Sequence, residues 1–101
     1  MIVGFKSEDT KRIFCGYTTR GYPSDIQKTA LRKLRILNAA VSIHDLRVPP
    51  GNRLEMLKGD RQGQYSIRIN DQWRSCFLWT NENNADAAGT LRAQVEIVDY
   101  H

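Results

Sequence analysis

The sequence has little of what metal, redox and membrane proteins require. Its two cysteines, Cys15 and Cys76, show neither CxxC nor Cys/His spacing, which argues against a metal site. It has no signal-peptide pattern and no apolar run of about 18 residues that would span a bilayer. We therefore expect a cytoplasmic protein with free thiols, no cofactor and no membrane partner.

Anions are sparse over the first three quarters of the chain. The length of 101 residues predicts a single domain, residues 1–101, with a modest core. Cations outnumber anions by eight to four in residues 1–46 and by six to three in residues 47–74. Residues 75–101 hold four anions and only Arg92. This distribution indicates an anionic partner such as nucleic acid, although solubility alone would also account for the net charge of +4.

The apolar periodicity changes along the chain from helical to strand-like. After a short strand at residues 1–5, a helix begins with Ser7 as its N-cap, and a longer helix at residues 24–41 has capping-box spacing between Ser24 and Gln27. Four further strands are predicted at 53–59, 64–69, 72–79 and 91–101. The order β-α-α-β-β-β-β predicts an α+β fold, with two N-terminal helices packed on a curved, mainly antiparallel sheet.

The longer helix carries two stripes. The apolar stripe predicts the face that packs on the core and consists of Ile26, Ala30, Leu34, Leu37 and Val41. The basic stripe, Lys28, Arg32 and Arg35, is either a solvated face or a surface that lies along an RNA backbone.

The hairpin "QYSIRINDQWRSCFLW" combines aromatic and cationic residues. Asn70-Asp71 predicts a two-residue turn, because both residue types tolerate positive φ. Alternation assigns Trp73 and Phe77 to the core and Arg74 to the opposite face. A buried arginine needs an anion. The two candidates are a structural carboxylate, Glu96 or Asp99, and a bound phosphate.

The last residues, "EIVDYH", contain two groups that suit proton transfer. His101 is suited to general acid or base catalysis, because histidine side chains ordinarily have a pKa near neutrality, but a frayed terminal residue without a role is the alternative. Tyr100 is a core edge, a base-stacking platform or a proton donor. His44, in the proline-bounded loop, is interpreted as structural or solvated. The polar stretch "NENNADAAGT" is either a loop beside the cleft or a tolerated insertion.

Several stretches together resemble one family. "RLEMLKGDRQGQYSIRINDQWRSCFLW" and the final "VEIVDYH" closely resemble the RelE/HigB-type toxins of bacterial type II toxin–antitoxin modules. "DIQKTALRKLRILNAA" and "LRVPPGNRLE" are similar to that family's helix and loop, so the resemblance covers nearly the whole chain. It implies a RelE-like fold of the microbial-ribonuclease type.

The resemblance also implies an activity and partners. The implied activity is that of a metal-independent, ribosome-dependent endoribonuclease, which cleaves translated messenger RNA and inhibits growth. The implied partner is a helix-turn-helix, HigA-like antitoxin, which neutralises the toxin. The toxin would reach operator DNA only through the antitoxin. The alternative is a non-catalytic, degenerate toxin-like module that binds RNA or antitoxin and acts in operon autoregulation. The presence of both Arg74 and His101 favours the enzyme.

By this resemblance, the positions that are catalytic in the family correspond to Lys58, Arg74, Tyr100 and His101 of this sequence. Some relatives have a histidine where this chain has Glu55, which makes Glu55 a candidate general base, unless the strand pattern puts it on the wrong face. In this hypothesis Arg74 and Lys58 stabilise the phosphorane. The residues expected to bind RNA are Arg53, Arg61 and Arg68 near the cleft and Lys28, Arg32 and Arg35 on the helix.

Overall fold

The computed structural model describes residues 2–81 and 90–99. Its helices are α1 (Glu8–Phe14) and α2 (Ser24–Ala39), with 3-10 turns at Ile43–Arg47, Pro50–Asn52 and Gly59–Arg61, and its strands are β1 (Glu55–Met56), β2 (Gln64–Arg68), β3 (Trp73–Asn81) and β4 (Thr90–Asp99). The strands form one antiparallel sheet in the order β1-β2-β3-β4. The α+β class is thereby confirmed. Within these described ranges, no helix combines the length and hydropathy needed to cross a membrane.

The segment before α1 is not the regular strand that its sequence predicts. Phe5 forms one isolated parallel bridge with Val95, next to β4. The amide of Ile2 donates to the side-chain oxygen of Asn38 on α2, at 2.9 Å. The segment thus contacts both β4 and α2, and its described residues form bridges but no regular strand.

The two helices begin in different ways. Ser7 caps α1 as predicted, since its hydroxyl accepts a hydrogen bond from the Thr10 amide at 3.2 Å. The capping box predicted for α2 is wrong, because Pro23 is the N-cap and Ser24 already lies inside the helix. The Gln27 side chain is buried instead, and it donates to the carbonyls of Thr19 and Tyr22. It thus holds the loop that precedes its own helix.

The core lies between α2 and one face of the sheet. Four members of the predicted apolar stripe are buried there, but Val41 is 57% exposed because α2 ends at Ala39. The buried sheet residues they meet include Ile67, Phe77, Val95 and Ile97. Trp73 is partly buried against this core, as expected from its alternation with Arg74.

The turn between β2 and β3 is longer than predicted. Arg68 pairs with Arg74, and the Ile69 amide donates to the Trp73 carbonyl, so three residues form the loop. The side-chain oxygen of Asn70 accepts from the amides of Gln72 and Trp73 at 2.9 and 2.8 Å. This Asx-type turn satisfies the loop amides without positive φ at Asn70, which is why the two-residue prediction fails.

Two irregularities shape the sheet edges. Arg53 has φ of 45° and Gly59 has φ of 68°, so the strand predicted at 53–59 is reduced to β1. In β4, Gln94 has φ of 53° where the pairing with β3 shifts, which is a β-bulge. Most of the predicted polar loop, residues 82–89, lies outside the described residues.

Candidate active site

The sheet face opposite the helices carries polar and charged groups. The register pairs Glu55 with Ser66, Ser66 with Cys76, and Cys76 with Glu96. Directly paired residues of antiparallel strands project to the same side, so these four side chains form a row across the sheet. Arg74 lies on this face as well, two residues before Cys76 on β3, as the strand alternation predicts.

Hydrogen bonds to neighbouring residues hold the Arg74 side chain in place. Its side chain is largely buried, with the residue 7% exposed. Nε donates to the Ser66 hydroxyl at 2.7 Å, and Nη2 donates to the Arg53 carbonyl at 2.5 Å and to the Ser66 carbonyl at 3.4 Å. These three bonds orient the guanidinium on the polar face of the sheet.

The two carboxylates predicted as candidate partners of Arg74 each contact other side chains. Oε1 of Glu96 lies 2.8 Å from Nη1 of Arg61 and 3.9 Å from Nζ of Lys6. The hydrogen bond to Glu96 raises the pKa of Arg61, which stays charged. Asp99 accepts a hydrogen bond from the Gln72 side chain at 3.1 Å. Glu96 therefore helps to place a second cation, Arg61, over the polar face.

Cys76 lies on the floor of this charged group. It is fully buried, and burial raises the pKa of its thiol. Four charged side chains also act on that thiol, in order of decreasing effect Arg61, Glu96, Arg74 and Glu55. In the register of the sheet Cys76 lies between Ser66 on β2 and Glu96 on β4, in the interior of the row.

A depression of about 600 Å³ opens beside the cluster, between β1 and the turn that follows it. Its lining includes Glu55, Lys58 and Arg61. The sequence predicts Lys58 within a strand. In the structure it lies outside β1 and immediately precedes the 3-10 turn Gly59–Arg61. The turn brings Lys58 and Arg61 to one depression. Glu55, whose face the sequence left open, lies on the same side of the sheet as Ser66, the residue that binds Arg74.

The other predicted RNA-binding residues occupy different places. Arg68 is directly opposite Arg74 and forms an ion pair with Asp71. Arg53 is exposed, and its backbone carbonyl accepts a hydrogen bond from Arg74. The basic stripe on α2 lines a separate groove of about 580 Å³ together with Leu31 and Ile36, and it consists of Lys28, Arg32 and Arg35.

The two proposed proton-transfer residues, Tyr100 and His101, lie outside the described residues. The described part of β4 ends at Asp99, which pairs with Trp73, and Val98 pairs with Arg74.

Three residues of this region carry no motif signal in the sequence. Ser66 is visible only as the residue that alternates with Arg68. Asn52 and Lys33 are 19 positions apart, yet the Lys33 ammonium donates to the Asn52 side-chain oxygen at 2.5 Å. Only the packing of α2 against the loop after it makes these residues neighbours of the site.

Comparisons with known proteins agree with one another. The model of the HigB-like toxin family, described as the RelE-like toxin of the type II toxin–antitoxin system HigB, matches residues 3–100. Toxin HigB-1 of Vibrio cholerae serotype O1 is 47% identical over 74 residues, which cover 73% of this chain and 72% of the relative. Endoribonuclease HigB of Proteus vulgaris is 33% identical over 85 residues, 80% of this chain and 87% of the relative. An uncharacterized protein of Haemophilus influenzae is 42% identical over 69 residues, 68% of this chain and 66% of the relative.

Proposed function

The chain belongs to the HigB-like family of RelE-like toxins from type II toxin–antitoxin systems, and from that premise we propose that it is an endoribonuclease that cleaves translated messenger RNA on the ribosome. The name of the Proteus vulgaris relative supports ribonuclease activity. The observation that carries the proposal is the buried guanidinium of Arg74, which Ser66 and the Arg53 carbonyl orient on the same side of the sheet as Glu55, whose depression Lys58 and Arg61 also line.

The pairing of Arg68 with Arg74 supports an anionic ligand at this face. The two guanidinium groups are neighbours on one face of the sheet, and Arg68 also forms an ion pair with Asp71. A phosphate bound at this face would accept charge-assisted hydrogen bonds from them.

The proposed reaction is attack of a ribose 2′-oxygen on the adjacent phosphorus. A base removes the 2′ proton, the phosphorus–5′-oxygen bond breaks, and an acid protonates the leaving 5′ oxygen. The products are a 2′,3′-cyclic phosphate and a 5′-hydroxyl. We assign the charge of the phosphorane to Arg74, with Lys58 assisting, and no step requires a metal ion. A preorganised donor of this kind contributes about 10²–10³-fold to the rate.

The proton transfers are assigned to Glu55, Tyr100 and His101. Glu55 lines the depression together with Lys58, which supports a role as general base. His101 is our first choice for the complementary acid, and Tyr100 stacks on a base or donates a proton. A positioned acid or base contributes about 10²–10⁴-fold.

Binding of the ribosome and of the messenger is divided between two surfaces. Arg53, Arg61 and Arg68 position the messenger backbone near the cleft. The basic stripe of α2 contacts ribosomal RNA without sequence preference, a contact that weakens as salt rises. The partner that neutralises the toxin is a helix-turn-helix, HigA-like antitoxin, and the complex binds operator DNA through that antitoxin.

Primer extension on programmed ribosomes tests the proposal. Purified wild-type protein is expected to create new 5′ ends inside translated codons and to leave the same RNA intact without ribosomes. Arg74→Ala should lower the cleavage rate by at least about 100-fold.

Arg20→Ala is the matched control, because Arg20 is an exposed arginine in the loop before α2, and it should cleave within about twofold of wild type. An intact transcript with folded wild-type protein would identify a binding module instead of a nuclease.

A further inference from the structure

We propose that Asn52, held by Lys33, and the backbone of Arg53 form a support that positions Arg74 for phosphate binding. This inference rests on the proposed nuclease function. It assigns a role to two residues outside the depression and to a carbonyl group instead of a side chain. The support runs from α2 through the loop Pro50–Asn52 to the sheet.

The Asn52 side chain makes three hydrogen bonds although no part of the residue is exposed. Its Oδ1 accepts from Lys33 Nζ at 2.5 Å. Its Nδ2 donates to the carbonyls of Leu46 and Val48 at 3.2 and 3.3 Å. The bond to Lys33 and the bonds to the preceding loop join α2 to the chain immediately before Arg53. An apolar residue of similar size would leave both loop carbonyls without these donors.

Lys33 is an unusual residue for this position. It is 8% exposed and lies on α2 among core residues such as Leu34 and Leu37. Burying an ammonium group is unfavourable unless it is hydrogen-bonded, whereas a methionine would fill the same space without that cost. The buried ammonium donates a hydrogen bond to Asn52, and this bond holds the loop in place.

The backbone of Arg53 connects this fixed loop to Arg74. Its φ of 45° and ψ of 57° lie in the left-handed region, which side chains with a Cβ seldom adopt. Its amide donates to the Pro50 carbonyl at 3.1 Å, and its own carbonyl accepts from Arg74 Nη2 at 2.5 Å. In this conformation the exposed residue directs its backbone oxygen to the buried guanidinium.

The contacts at the two ends of the Arg74 guanidinium set its plane. Nε is bound by Ser66, and Nη2 is bound by the Arg53 carbonyl. Arginine has several rotatable bonds, and a directed hydrogen bond to phosphate requires a defined plane as well as a charge. A small misplacement of such a group reduces the rate of the chemical step more than it reduces binding.

Two substitutions of Arg53 separate its backbone from its side chain. Arg53→Gly and Arg53→Val both remove the guanidinium, so both should weaken RNA binding alike. Glycine adopts positive φ readily, whereas β-branched valine does not. On ribosomes at saturating concentration, we expect the cleavage rate of Arg53→Val to be at least about tenfold below that of Arg53→Gly, because accurate positioning governs the chemical step.

The same assay distinguishes the failure of this inference from the failure of the nuclease proposal. If wild type cleaves and Arg74→Ala does not, the proposed function stands. Equal saturating rates for the glycine and valine variants would then overturn the support role of Arg53. No cleavage by wild type would defeat the nuclease proposal itself.

A spectroscopic measurement covers the case in which Arg53→Val does not fold. Lys33→Met keeps the side-chain volume and removes the donor to Asn52. The Arg74 Nε–H resonance should exchange slowly with solvent in wild type and at least about tenfold faster in folded Lys33→Met, because the loop is less constrained. Unchanged exchange in that variant would show that Lys33 and Asn52 do not position Arg74.

Discussion

The guanidinium of Arg61 lies 2.8 Å from the carboxylate of Glu96, across the face of the sheet that holds Cys76. The Arg61 side chain is 35% exposed and that of Glu96 is 16% exposed, so water still screens the pair from one side. The pair therefore orients Arg61 beside the depression more than it stabilises the fold.

A double-mutant cycle of Arg61→Ala and Glu96→Gln measures this pair. Partly exposed ion pairs typically contribute between about 0.2 and 1 kcal/mol to the free energy of unfolding, and salt weakens them. We expect a coupling energy in that range from urea unfolding at low salt, and a smaller one at 1 M salt, where the Debye length is about 3 Å. A coupling above about 2 kcal/mol that resists salt would contradict a screened pair.

Glu55→Gln tests the proposed general base without changing the size of the side chain. Because the amide cannot accept the 2′ proton, the cleavage rate on saturating ribosomes should fall by about 10²-fold or more. The matched control is Asp60→Asn, which removes an exposed carboxylate from the turn Gly59–Arg61. Equal rates in the two variants would exclude Glu55 as the base.

The two cysteines should differ strongly in their reaction with a soluble disulfide reagent. Cys15 is exposed, whereas Cys76 is fully buried and the pKa of its thiol is raised by burial. Since the thiolate is the reactive form, we expect one fast and one slow phase, at least about 100-fold apart. Cys15→Ser should abolish only the fast phase. A fast phase in Cys15→Ser would show that solvent reaches the floor of the site in the folded protein.

Lys33 should make stability depend on pH in the alkaline range. Burial, with smaller contributions from Arg32 and Arg68, lowers the pKa of Lys33 below its ordinary value of 10.5. Between the lowered pKa and 10.5 the unfolded chain binds more protons than the folded one, so this group makes the free energy of unfolding rise with pH.

Lys33→Met lacks that contribution. The stability of wild type minus that of the variant should therefore increase as the pH rises toward 10.5, and urea unfolding at several pH values measures it. Contributions from other titrating groups cancel in this difference. A difference that stays constant over the range would show that Lys33 has an ordinary pKa in the folded protein.

Local patterns predicted the parts of the site that depend on one element. The alternation of β3 placed Arg74 on the face opposite Phe77, because strand geometry repeats every two residues. The capping side chain of Ser7 and most of the apolar stripe of α2 are local in the same sense. The resemblance to RelE/HigB-type toxins was likewise readable from contiguous motifs, and the family match confirms it.

The sequence by itself determined the α+β class, the family and the face on which Arg74 lies, because each depends on neighbours along the chain. Only the tertiary structure decided that Glu55 lies beside Ser66, that Arg61 pairs with Glu96, and that Lys33 reaches Asn52. These pairs join different elements, and their free energy depends on the register and packing of the whole sheet and helix. No local propensity of residues 52 and 53 signals a loop that carries a backbone carbonyl to the guanidinium of Arg74.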